Sequence, residues 1–382
     1  MKAGWEVKTL GDVCEYDKLQ AIHKNLPYVG LEDIESNTAS FLGSLESQSV
    51  KSATFKFNNS HILYGRLRPY LNKVLAPEFD GHCSTEIFPI KPKSCLLRDY
   101  LLYWFIREQT VDLINATCTG ARMPRADMNA VLSFEFLLPP IQEQQRIVAI
   151  LDKAFEQIAI ARANTEKNLQ NARALFESHL QNVFTQRGDG WKERRLGDIA
   201  EVQSGGTPSV PQKQYWNGDI PWYSSGELNN TYTTESEKKI TLLGLDNSNA
   251  KLFPKGSLLV GMYDTAALKM SILDRDATFN QAIAGIKPNE MIDVKYILHA
   301  INSKKPALLL ERRGVRQKNL SLGKIKDISI PLPDLVEQQT VVSNLQKVLS
   351  ETQRLESLYQ RKLNALDALK KSLLHQAFAG EL

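Results

Sequence analysis

Two stretches of the chain space their apolar residues alternately three and four apart, without an interior Gly or Pro. In residues 139–187 these positions are Val148, Leu151, Phe155, Ile158, Leu169 and Phe176, with Thr165, Ala172 and Val183 continuing the series. Residues 332–382 carry the matching set Val342, Leu345, Leu349, Tyr359, Leu363, Leu366 and Leu373, with Thr352 and Ala377. Spacing of this kind, sustained over heptad after heptad, predicts a coiled-coil seam rather than an ordinary surface helix. The starts are marked as well. Pro140 suits a first helical turn, and Asp334 followed three residues on by Glu337 has the form of a capping box. A helix of about 45 residues runs roughly 65 Å. Aligned without gaps, 139–184 and 333–378 are identical at 13 of 46 positions. The two helices are therefore copies, expected to pack antiparallel as a stiff rod.

The remaining segments, 1–138 and 188–331, lose this period. Short β-rich runs such as Ser257-Leu258-Leu259-Val260 and Ile328-Ser329-Ile330 stand among turn residues, which predicts mixed α/β globular units. Gly4-Trp5 and Leu10-Gly11-Asp12 return as Gly190-Trp191 and Leu196-Gly197-Asp198, and Ile90-Lys91-Pro92 returns as Ile286-Lys287-Pro288. Tyr100-Leu101-Leu102 and Gly120-Ala121-Arg122 have counterparts in Tyr296-Ile297-Leu298 and Gly314-Val315-Arg316. The order is globular unit (1–138), helix (139–187), globular unit (188–331), helix (332–382), a pseudo-two-fold internal repeat.

Composition changes this picture little. A chain of 382 residues, 42% hydrophobic and 24% charged, can bury two separate cores. Its longest apolar runs are too short to cross a bilayer, and without an apolar leader the expectation is a cytoplasmic protein with no membrane contact. Cys14, Cys83, Cys95 and Cys118 all lie in the first half and form no C-x-x-C pair, so free thiols and no metal site are expected. Net charge is +4, too small to announce a nucleic-acid binder. Residues 1–138 hold 15 basic against 16 acidic side chains, and 188–331 hold 20 against 16.

No catalytic motif emerges. Gly323-Lys324-Ile325 lacks the hydroxyl residue of a phosphate loop, and Tyr223-Ser224-Ser225-Gly226 lacks the first glycine of a nucleophile elbow. The chain is thus expected not to be an enzyme, and what remains is binding chemistry. In the first unit Arg66, Arg68 and Lys73 stand in one Gly/Pro-bounded loop, and Arg122 and Arg125 in a second. Ser84 and Thr85 add hydroxyls, beside Glu86. In the second unit Thr207, Tyr223, Ser224, Asn280 and Gln281 supply hydroxyl, aromatic and amide groups. The loop containing Arg313, Arg316, Gln317, Lys318 and Asn319 is richer still. Arginine and lysine neutralise phosphates or meet guanine edges, and Asn and Gln suit adenine. Any one of these residues would pass for a solvated surface group. Their placement at equivalent points of both units is what points to DNA.

In their joint order these motifs resemble the specificity subunit of type I restriction-modification systems, over the entire chain. The residues that carry the resemblance begin with Trp5…Leu10-Gly11-Asp12 and Leu138-Pro139-Pro140…Glu143-Gln144, each with its repeat. Ser204-Gly205-Gly206-Thr207-Pro208, Tyr215-Trp216-Asn217-Gly218-Asp219-Ile220-Pro221-Trp222 and Gly314…Gln317-Lys318-Asn319-Leu320 complete them. The resemblance implies that 1–138 and 188–331 are target recognition domains, each reading half of an asymmetric, bipartite duplex DNA site. The helices would set the number of unread base pairs between the halves. Two methylation subunits and the restriction subunits would be the partners. S-adenosylmethionine, ATP and magnesium would sit on those partners, with no cofactor on this chain. The first unit departs from the pattern in lacking the Gly-Gly-Thr-Pro and Gln-Lys-Asn segments, so the half-sites are expected to differ. Two other readings stay open at this point: a related subunit of a type II or methylation-only bipartite system, and a coiled-coil protein scaffold that never touches DNA.

Overall fold

The computed structural model describes residues 4–16, 19–120, 122–188, 190–311 and 319–382. Two continuous helices, Ile141–Gln186 and Leu335–Ala379, dominate it. The chain divides into two compact units, and each helix contributes to both. One unit comprises 1–167 with 359–382, the other 168–358. This division cuts across the four segments of the sequence, because each globular part is completed by half of each helix.

In the first unit a four-stranded antiparallel sheet runs in the order Cys14–Tyr16, Ile87–Pro92, Ile62–Gly65, Val74–Leu75. A second sheet holds Gln20–Ala21, Thr54–Phe57, Gly81–Cys83 and Tyr28–Val29. Ile62, Leu63, Tyr64, Ile87 and Ile90 are fully buried, as expected of central strands covered on both faces. The helix Arg98–Ile106 supplies Tyr100, Leu101 and Phe105 to the same core. Glu6–Thr9 pairs antiparallel with Glu135–Leu138, so entry and exit of the globular part lie side by side.

The second unit repeats the plan. Its four-stranded sheet runs Val202–Ser204, Ile283–Ile286, Leu258–Gly261, Met270–Ile272. Lys192–Arg195 closes against Ser329–Leu332. The Leu-Gly-Asp motif has the same role in both units: it opens a one-turn helix, Leu10–Val13 and Leu196–Ile199, whose leucine is fully buried. Thr9 and Asp12 cap the first reciprocally, whereas Arg195 gives the second no side-chain cap.

The helices run antiparallel. In the first unit Phe155 lies under Lys370, 5.1 Å from its ammonium, and Arg162 is bonded to Asp367, so residue numbers rise along one helix as they fall along the other. In the second unit Arg173 faces Glu356 at 3.4 Å. Leu151, Leu169, Leu345 and Leu363 are buried, and Val148, Phe155, Ile158, Phe176, Val342, Leu349, Tyr359, Leu366 and Leu373 are half-buried. Not all of these meet only the other helix. Val148, Leu151, Phe155 and Leu373 pack into the first globular core, and Phe176, Val342 and Leu345 into the second.

The helix starts differ from expectation in two details. Pro140 precedes the first helical residue, its carbonyl accepting from the amides of Glu143 and Gln144. Asp334 does cap, accepting from the Glu337 amide at 2.8 Å. The Glu337 carboxylate, however, takes the indole N–H of Trp191 at 2.7 Å, and its counterpart Glu143 takes the guanidinium of Arg146. The glutamine that follows is buried in both copies. Gln144 accepts from the amide of Leu97 and donates to the carbonyls of Cys95 and Pro139, all within 2.8–2.9 Å. Gln338 makes the same three bonds with Asp293, Met291 and Pro333.

Candidate nucleic-acid interface

In the first unit the two basic loops meet. The strand Ile62–Gly65 ends at Gly65, and the chain turns through Arg68 and Asn72, both with positive φ (52° and 41°). That conformation is costly for non-glycine residues and persists only where neighbours hold it. The Arg68 amide donates to the carbonyl of Pro124 at 2.7 Å, and the Ala126 amide to that of Arg66 at 2.9 Å, tying the loop to the segment 119–126.

Arg66 and Arg125 thereby converge on one carboxylate. Arg66 Nε donates to Glu86 Oε2 at 3.0 Å, and Arg125 donates through Nε and Nη2 to Glu86 Oε1 at 3.0 and 2.9 Å. Burial opposes ionisation of Glu86, but the hydrogen bonds from Arg125 and Arg66 outweigh it and hold the carboxyl below the usual carboxylate range. The Arg66 guanidinium also lies 5.2 Å from the centre of the Phe88 ring. Arg68 and Arg122 are exposed nearby in sequence, with Tyr70 and Met123.

Not every expected contact residue belongs to this surface. The Lys73 ammonium donates to the carbonyls of Leu31 and Ile34, each at 2.6 Å, and so closes a turn. The Ser84 hydroxyl accepts from the Glu86 amide at 3.3 Å and supports the loop. Thr85 is half-buried beside it.

In the second unit Ser204-Gly205-Gly206-Thr207 lines an open cavity of about 570 Å³ with Asn249, Lys251 and Gln281. The glycines are required by close approach. A Cβ on Gly205 would stand 2.0 Å from the Phe279 carbonyl oxygen, and one on Gly206 would stand 2.3 Å from the Asn249 carbonyl carbon. Thr207 Oγ1 donates to the Gln281 side-chain oxygen at 2.6 Å, joining two predicted residues. Asn280 lies beside them, its side-chain oxygen accepting from the Ala282 amide. Ser224 is half-buried, its hydroxyl bonded to Glu227 at 2.8 Å.

Tyr223 is a correction: it is 1% exposed, packs in the core with Phe253 and Phe279, and donates its hydroxyl to the Thr234 carbonyl. Both faces of the strand are covered at this point, since the adjacent Trp222 is buried too, in a separate cluster with Ile240 and Ala250. Arg313, Arg316, Gln317 and Lys318 lie outside the described residues, and Asn319 is exposed at their edge.

Backbone hydrogen bonds place the two surfaces in register. Arg66 bonds the carbonyl of Glu86 as Met262 bonds that of Ala282, both at 2.9 Å, and Ala126 bonds Arg66 as Leu320 bonds Met262. The frame is common to both units, while the side chains on it differ. Sequence reasoning missed Glu86 as the hub: it is one of six acidic residues between the two arginine loops, and nothing local singles it out.

Comparison with known proteins agrees with this picture. The type I restriction modification DNA specificity domain matches twice, at residues 2–171 and 188–364, and the chain belongs to that family. The specificity subunit of the Escherichia coli type I restriction enzyme EcoR124I/EcoR124II is 32% identical over 216 residues, which cover 53% of this chain and 51% of that protein. The chain spans about half or less of the length of such relatives, 37% for the MjaIX specificity subunit of Methanocaldococcus jannaschii. The HindI specificity subunit of Haemophilus influenzae is matched more fully, 25% identical over 91% of this chain and 95% of that protein. The fold is shared with the HsdS subunit from Thermoanaerobacter tengcongensis, with a TM-score of 0.73 at 19% identity over 100% and 98% of the two chains. A chain from a study of complex assembly and conformational transition of the type I R-M system gives a TM-score of 0.80 at 20% identity, over 100% and 99%.

Proposed function

We propose that this chain is the DNA specificity subunit of a type I restriction-modification complex. One globular part reads each half of a bipartite, asymmetric duplex site, and the helices set the unread spacer. The observation that carries this reading is the common frame with exchanged side chains. Both units keep the same backbone bonds, Gly65 to Lys73 and Arg66 to Glu86 in one as Gly261 to Lys269 and Met262 to Ala282 in the other. Yet the first sets Arg66 and Arg125 on Glu86 there, whereas the second has Met262 and Ala282 and gathers Thr207 and Gln281 in the cavity beside 204–207. Two methylation subunits and the restriction subunits are the partners. S-adenosylmethionine, ATP and magnesium chemistry belongs to them, and this chain supplies positioning alone. The complex would act in the cytoplasm, where its DNA lies; among the described residues no helix is long and apolar enough to cross a membrane.

Co-expression with its methylation subunits, followed by mapping of methylated adenines, tests the proposal. Methylation confined to two short unlike sequences at one fixed separation is the expected result. Methylation without a bipartite site, or none that depends on this chain, refutes it.

A further inference from the structure

We propose that Arg66 reads a guanine in the half-site served by the first unit, and that Glu86 is the positioning residue that aims it. The inference rests on the DNA-reading function proposed above and goes on to name the base. The Arg66 side chain is one-third exposed, at 33%. Glu86 holds its Nε at 3.0 Å, and the Phe88 ring centre lies 5.2 Å from the guanidinium carbon, so the group is anchored from two sides. Its two Nη nitrogens form no hydrogen bond among the described residues. They are left as a planar fork of donors, and guanine alone presents two acceptors, O6 and N7, side by side in the major groove.

Arg125 is used differently. Nε and Nη2 both engage Glu86, so it braces the carboxylate. A group meant for phosphate gains nothing from a carboxylate at 3.0 Å, which repels the phosphate and lowers the charge of the cluster from +2 to +1. A group meant for one base edge gains orientation from the same carboxylate. Met262 (2% exposed) and Ala282 (9%) stand at the matching points of the second unit, so this arginine–glutamate pair, and the guanine it reads, belong to the first unit's half-site.

The test uses the full chain purified with its methylation subunits and a pool of duplexes randomised across both half-sites. Sequencing of the bound fraction compares wild type with Arg66→Gln, Glu86→Gln and Glu86→Asp. Wild type enriches guanine at one position of one half-site. Arg66→Gln loses that preference by about tenfold or more and keeps every other position. Glu86→Gln weakens the same preference several-fold and Glu86→Asp restores part of it, whereas a merely structural role would lower affinity without singling out one base. Should Arg66→Gln fail to fold, Arg66→Met, which puts the residue type of the second unit's Met262 at this point and has no donor, must show the same loss. The inference is overturned if the Arg66 variant weakens binding to all sequences alike and reduces the salt slope by about one, the mark of a phosphate contact. A wild-type complex that enriches no sequence overturns the proposed function with it.

Discussion

The buried glutamine at the start of each long helix permits a quantitative test. Replacing Gln144 with Leu keeps the volume and removes three hydrogen bonds, leaving the Leu97 amide and the carbonyls of Cys95 and Pro139 unsatisfied. At about 1 kcal/mol net per bond, the loss is about 3 kcal/mol. Opening of the 95–97 segment from the helix start then becomes some hundredfold more frequent, because 1.4 kcal/mol is a factor of ten. Hydrogen exchange followed by mass spectrometry reads this directly. Peptides spanning 93–101 and 141–147 should lose protection by about two orders of magnitude in Gln144→Leu. Peptides spanning 291–297 should respond only to Gln338→Leu, since Gln338 holds Asp293 and Met291 instead. Exchange within threefold of wild type at 93–101 would refute the account, and the repeated Glu-Gln pair would then need another explanation.

Other perturbations separate frame from reader. Lys73→Ala should lower first-unit stability by about 2 kcal/mol, through loss of charge-assisted bonds to two carbonyls, in a denaturant melt. It should leave the salt slope of DNA binding unchanged. Gly206→Ala forces its Cβ to 2.3 Å from the Asn249 backbone and should cost more than about 2 kcal/mol, with selective loss of the second half-site in a binding selection. His299, on Val294–Glu311, is half-buried beside Phe176 with Nδ1 unpartnered, and burial lowers its pKa from 6.5 to about 4. Between those values the unfolded chain binds the extra proton. Stability is therefore complete above about pH 6.5 and is lost progressively as pH falls towards 4, by at most about 3 kcal/mol. Urea melts at pH 7 and 4.5 should show that decline in the second unit, and His299→Leu should flatten it.

The helices were legible because seam residues such as Leu151 and Leu363 advertise themselves by spacing alone. The repeat was equally legible as a recurrence of letters, but its physical content was not. Gln144 contacts residues 95 and 97, a pairing that no local pattern reveals. Side-chain direction was the other hidden variable. Trp222-Tyr223-Ser224 has the composition of a binding surface, yet Tyr223 faces the core. Lys73 shares a loop with Arg66 and turns back to cap carbonyls at 31 and 34. The meeting of Arg66 and Arg125 at Glu86 depends on a bridge between Leu67 and Arg125, and such long-range pairings lie beyond periodicity.

Only the first compact unit joins two separated parts of the chain, and this sets an order of maturation during synthesis. The second unit, 168–358, is contiguous and can close as soon as it has left the ribosome. The first unit is made earlier but waits for residues 359–382. Among these, Phe378 packs 4.8 Å from Tyr100, while Leu374 and Ala377 complete the same core. A ribosome that stalls before residue 359 has emerged would leave a chain with one finished globular part and one lacking the last wall of its core.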